Sequence, residues 1–190
     1  QITFFKIVYR RHTNFSMETI RQTINGDTRT DTTKENKGSV IVSRNGDLLS
    51  KIYVTSSSVG ITNGLEIVKD VSIDIGGQEI DKQTKEWIQI WNELTIKEDK
   101  RLGYKNMIGC LNNNINTTGT IGVNHVQIPL LFWFCRNPGL ALPLISLQYH
   151  EVQLNFTFGT SVGVNAEINV ECDYFYLDTD ERRRFAQVSH

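Results

Sequence analysis

The chain has 190 residues, 39% of them hydrophobic, and 20 Lys and Arg against 21 Asp and Glu give a formal net charge of -1. That length suits one domain with a sizeable core, and the balanced charge offers no whole-molecule field for nucleic acid. Cys110, Cys135 and Cys172 are odd in number and lack metal-ligand spacing, so they are expected as buried or free thiols in a reducing compartment.

In chain order, "TFFKIVYRR" places Phe5, Val8 and Tyr9 on one side with Thr3 in capping position, which fits a short helix. Its β-branched residues leave an extended reading open. Residues 26–38, "GDTRTDTTKENKG", are polar with no apolar anchor and are expected to form an exposed, loosely packed loop. Asn45-Gly46, between "SVIVS" and "LLSKIYV", is a strong hairpin signal, because a type I′ turn needs positive φ at both central residues. In "LEIVKDVSIDI", Leu65, Ile67, Val71, Ile73 and Ile75 are assigned to one face of a strand, opposite Glu66, Asp70, Ser72 and Asp74. Gly76-Gly77 closes a second tight turn.

The rhythm then changes. Trp87, Ile90, Trp91 and Leu94 recur at helical spacing, with Glu86, Gln89 and Glu93 opposite, and predict a helix over 82–95. Residues 109–122 form a second polar loop. The apolar run from Leu130 to Phe156 is broken by Arg136-Asn137-Pro138-Gly139 and by Pro143, too soon for a bilayer-spanning helix. It fits two buried strands, "LLFWFC" and "EVQLNFTF", joined by a connection that the prolines keep out of regular sheet. Val152, Leu154, Phe156 and Phe158 face inward in the second of these, as do Ile168, Val170, Cys172, Tyr174 and Tyr176 in "EINVECDYFYL". From Thr179 the tail is a helix or a linker. The expected core includes Ile73, Ile75, Phe132, Phe134, Leu154, Phe156, Val170 and Tyr174. About eight short strands, two small helices and no helix between consecutive strands exclude a doubly wound α/β fold. They favour an all-β, antiparallel, eight-stranded jelly-roll sandwich with short helical insertions.

Four segments, "QITFFKIVYRRHTNFSMETI", "SIDIGGQEIDKQTKEWIQIWNELT", "FWFCRNPGLALPLISLQYHEVQLN" and "YLDTDERRRFAQVSH", resemble in this order the major capsid protein of nucleocytoplasmic large DNA viruses, the family of phycodnavirus, iridovirus and mimivirus-like capsids. The resemblance implies the first half of a double jelly roll, with residues 1–178 as the N-terminal domain and 179–190 as the start of the connection to a second. It implies a homotrimer with pseudo-hexagonal outline, neighbouring capsomers and minor capsid proteins as partners, and an icosahedral shell of a virion assembled in the host cytoplasm. Neither direct contact with nucleic acid nor stable membrane insertion is implied, and no cofactor. The chain is expected to be a piece of a longer polypeptide, and its apolar connection from Leu140 to Leu147 to be covered by a neighbouring subunit or a second domain.

No catalytic, cofactor-binding or metal-binding residue is assigned. Cys135, His125, His150 and Glu151 could be imagined as a hydrolase set, but no family signature surrounds Cys135, and an apolar strand favours an inert thiol. Neither an HxH pair nor an HExxH helix supplies metal ligands. Trp87 and Trp91, one helical turn apart, suit packing of the helix on the sheet better than a sugar-stacking platform. That platform would support a rival function as a jelly-roll carbohydrate-binding protein for host attachment. The basic clusters "RRHT" and "DERRR" suit solvated or intersubunit ion pairs. Of the sequons at Asn14, Asn116 and Asn155, the first and last fall in expected strands, and only Asn116 is sterically open to a surface glycan. Chance matches are favoured.

Overall fold

Period-two alternation is the basis of the architecture. The computed structural model describes residues 12–31, 33–59, 63–110, 123–160 and 166–187. Among them run β1 (Phe15–Gln22), β2 (Asn25–Gly26), β3 (Lys37–Ile41), β4 (Leu48–Val59), β5 (Val68–Ile75), β6 (Gln78–Thr84), β7 (Val123–Pro129), β8 (Leu142–Pro143), β9 (Val152–Phe158) and β10 (Glu167–Leu177). Three helices join them: α1 (Lys85–Thr95), α2 (Glu98–Met107) and α3 (Thr179–Gln187). One antiparallel sheet has the order β1-β10-β4-β7, with β8 also on β4, and the other β2-β3-β9-β5-β6. β2 and β8 have two residues each; the remaining eight strands are the jelly roll. Chain crossings between the sheets, from β3 to β4, β4 to β5 and β9 to β10, make the two layers one unit.

The core lies between the layers. In β9, Val152, Leu154, Phe156 and Phe158 are buried and their neighbours half-buried. In β10, Ile168, Val170, Cys172 and Tyr174 are buried and Tyr176 packs partly against them. Phe156 and Phe158 stack with ring centroids 5.9 Å apart, and Phe132 and Phe134 with centroids 5.8 Å apart. Of the expected core residues only Ile75 is merely half-buried, at the hairpin end of β5. Gly76 and Gly77 adopt φ of 61° and 81° and close the β5–β6 hairpin, as the turn chemistry requires.

Several sequence expectations are corrected. Asn45-Gly46 is not a hairpin, since β3 and β4 lie in different sheets. Its glycine is set by space: a Cβ there would stand 2.6 Å from Tyr174 Cβ. "LLFWFC" is not a strand. Regular pairing ends at Pro129, and Trp133–Cys135 form a 3₁₀ turn in which Cys135 N–H reaches Phe132 C=O at 2.9 Å. The Leu131 N–H goes to the Gln83 side chain at 3.1 Å. Apolar side chains on both parities satisfy a buried turn as well as a buried strand, because burial does not specify backbone pairing. Leu65 and Ile67 likewise sit in a 3₁₀ turn (Gly64–Ile67), and the strand begins at Val68.

Helix α1 begins at Lys85, because residues 82–84 complete β6 and the Thr84 hydroxyl accepts from Trp87 N–H at 3.3 Å. The tail resolves as a helix, α3. Loop 26–38 is anchored rather than loose. Thr30 is fully buried, its hydroxyl accepts from Ala166 N–H at 3.1 Å, and Asn36 donates to Arg29 C=O at 2.7 Å. Polar residues do here what an apolar staple does elsewhere. The segment 3–11 and most of loop 109–122 lie outside the described residues; of the latter, Gly109 is buried and Cys110 exposed.

Phe156→Ala empties an enclosed site and should lower the unfolding free energy by about 3–5 kcal/mol. Leu94→Ala, at a side chain 80% exposed, should change it by no more than about 0.5 kcal/mol. Urea denaturation of the two variants checks both.

Candidate assembly surfaces

The surfaces this chain presents are fixed by the crossing at Ser43–Asp47. Ser43 gives its N–H and its hydroxyl to the Gln22 side-chain oxygen at 3.1 and 2.8 Å, and that glutamine is buried. The Arg44 guanidinium donates to the carbonyls of Leu147 at 2.8 Å and His150 at 2.9 Å, and also to Gln148. Its planar fork holds several donors in fixed directions toward these carbonyls, a geometry that the point charge of a lysine does not supply. Asp47 accepts the Leu177 N–H at 2.8 Å through one carboxylate oxygen and faces Arg182 Nε at 2.9 Å with the other. Its backbone N–H reaches Phe175 C=O and its own C=O accepts from Ile145. Ser146 adds a bond to the Phe185 carbonyl at 2.9 Å. Helix α3 therefore leaves the sandwich in a fixed direction.

Among the described residues, large apolar side chains are exposed in several places, including α1, β1 and the connection before β9. On α1, Ile88 and Asn92 are the residues turned inward, while Trp87, Ile90 and Leu94 are exposed. The row expected to face the core thus faces out. The inward choice is stabilised by a hydrogen bond from Asn92 Nδ2 to Tyr104 OH at 2.6 Å and by Lys85 paired with Glu66 at 2.9 Å. Trp91 is half-buried, 5.7 Å from Trp87 by ring centroid, and lies under the Arg136 guanidinium at 4.3 Å. On the edge strand β1, Phe15 and Met17 are exposed, with Phe15 edge-on to Phe175 at 6.1 Å. On the connection before β9, Leu140 and Tyr149 are exposed, but Leu142 and Leu144 are buried in this chain's own core. The expectation that a neighbour covers the whole connection is corrected to that extent.

The imagined hydrolase set is not assembled: among the described residues no hydrogen bond joins Cys135 to His125, His150 or Glu151. His125 is exposed on β7 opposite Ser57, and His150 stands against Gly76. Burial pushes the Cys135 thiol up to about 12 and the Cys172 thiol higher still, so neither is a thiolate nucleophile near neutrality. Among the described residues no group of three or more His, Cys, Asp or Glu could hold a metal ion. Asn14 is exposed just before β1 rather than within a strand, and Asn116 lies outside the described residues. Asn155 donates to Asp74 at 2.8 Å and accepts from Gln153 at 2.7 Å, so its side chain is engaged in the sheet. In "DERRR", Arg182 is held by Asp47 of the same chain and Arg184 by Glu181 at 3.4 Å. Of "RRHT", His12 and Thr13 are exposed and the two arginines lie outside the described residues.

Residues 3–180 match the family described as Major capsid protein N-terminus. The chain belongs to this family. Over its full length it is 51% identical to the major capsid protein of Pyramimonas orientalis virus, of which it covers 51%. It is 43% identical to that of Paramecium bursaria Chlorella virus 1, of which it covers 46%. Among solved structures, it is similar to a chain of the PBCV-1 virus capsid, at a TM-score of 0.86 and 40% identity, over 99% of this chain and 48% of that one. The chain spans about half the length of the curated relatives it matches. No sequence pattern revealed the Ser43–Asp47 clamp, because the partners of Arg44 and Asp47 lie about 100 residues or more away along the chain and Gln22, the partner of Ser43, lies outside any local window.

Asp47→Asn keeps an acceptor for Leu177 but removes the charge facing Arg182. It should cost about 1–3 kcal/mol and speed tryptic cleavage at Arg182, Arg183 and Arg184 severalfold, with the β-sheet circular dichroism retained.

Proposed function

We propose that the chain is the first jelly roll of a major capsid protein subunit that builds the icosahedral shell of a large double-stranded DNA virus. The observation that carries this reading is similarity over essentially the whole chain, in sequence and in fold, to a chain of the PBCV-1 virus capsid. On this reading residues 1–178 are the N-terminal domain and 179–190 begin the connection to a second jelly roll. The docking of α3 through Asp47–Arg182 supports it, since a fixed exit direction suits a second domain held at a set angle.

The working unit is a homotrimer with pseudo-hexagonal outline, in contact with neighbouring capsomers and with minor capsid proteins, within virions assembled in the host cytoplasm. Its chemistry is shape and contact; it performs no catalysis, needs no cofactor, touches no nucleic acid directly and is not stably inserted in membrane. The exposed rows on α1 and β1 have the composition of contact surfaces, aromatic and aliphatic with an arginine stacked on a tryptophan. Carbohydrate binding at Trp87 and Trp91 is the weaker reading, because the rings are tilted by 41° and Arg136 covers one of them.

Sedimentation of the full-length protein, with electron microscopy of the product, should give closed trimers that form hexagonal arrays. A full-length protein that stays monomeric at high concentration removes the reading.

A further inference from the structure

We propose that the cleft between α1 and α2 is a binding site for a long-chain fatty carboxylate. The cleft has a volume of about 390 Å³, within the range of roughly 300–1,000 Å³ usual for small-molecule sites. Leu65 and Ile108, both buried, form its apolar floor, and Ile90 and Ile96 its wall. These surfaces are aliphatic, and Tyr104 is the one aromatic ring among the described lining residues. An alkyl chain suits them better than a base or a sugar, which need ring faces to stack on.

The polar groups select the head. Asn92 is buried, and its Nδ2 donates to the Tyr104 hydroxyl at 2.6 Å. That hydroxyl therefore already accepts one bond, while its own hydrogen has no acceptor among the described residues and is free for a ligand oxygen. At the mouth, Arg101 is ion-paired with Glu93 and with Glu98, whereas Lys105 has no ion pair among the described residues. Glu93 and Glu98 together offset Arg101, so Lys105 is the cation left at the mouth without an ion pair among the described residues. A single anionic head fits: one carboxylate oxygen takes the Tyr104 O–H and the other faces Lys105. A phosphate dianion carries twice the charge that one lysine offsets, and the Arg101 fork, the one guanidinium among the described lining residues, is occupied.

The inference does not depend on the shell reading. The test is titration of full-length protein with the fluorescent fatty acid cis-parinaric acid, displaced by oleate, with native mass recorded on the same samples so that a failure of assembly is seen separately. Saturable one-to-one binding is expected. Gln89→Trp, which places a bulky ring at the exposed mouth, and Lys105→Glu should each weaken it by about tenfold or more. Tyr104→Phe should weaken it less. A parallel arm uses phosphatidylcholine vesicles with and without phosphatidic acid. Absence of saturable binding, saturable binding unchanged by both Gln89→Trp and Lys105→Glu, or recruitment only to the vesicles would overturn the assignment.

Discussion

The molecule depends on one close approach, that of the Ser43–Asp47 crossing to β10 at Tyr174. Gly46 lies so near the tyrosine that a methyl group would stand at 2.6 Å from its Cβ. The phenol is fully enclosed and its oxygen lies 3.3 Å from Ser43 Oγ. Burial drives the phenol's pKa far above its ordinary value, so it remains a neutral hydrogen-bonding group. From this seat Arg44 ties down the connection before β9 and Asp47 ties down α3. Sheet closure, loop order and exit direction thus share one five-residue segment.

What the sequence disclosed follows from how local each constraint is. Alternation in β9 and β10 is a property of neighbouring residues, and both strands were legible with the correct inward face. Gly76-Gly77 was legible because positive φ is demanded within the turn itself. Asn45-Gly46 has the same local chemistry, yet its glycine answers to a tyrosine 128 positions away, and no short window contains that fact. Loop 26–38 misleads for a related reason. Hydrogen bonds exchanged between Thr30 and Ala166 anchor it, and a polar anchor has the same composition as a polar loop.

Helix α1 marks the limit of amphipathic reasoning. Its spacing located the helix correctly, but the apolar row is the outer one. Asn92 can turn inward because Tyr104 supplies its partner, so desolvating an amide costs little there. The result is a helix that buries an asparagine and exposes tryptophan, isoleucine and leucine. On the capsid reading proposed above, that row has a physical setting, because a contact surface obeys the same burial rule as a core once a partner is present.

The pairing of β1 has a further consequence. Its sole strand partner among the described residues is β10, with Phe15 opposite Leu177. The chain must therefore be synthesised as far as β10 before β1 finds this partner. Pairings so distant along the chain are slow to form, since loop closure precedes any reward in contacts. On the ribosome, Phe15 and Met17 would wait unpaired while the intervening strands emerge. That interval, rather than the finished sandwich, is when this sequence has most need of a chaperone.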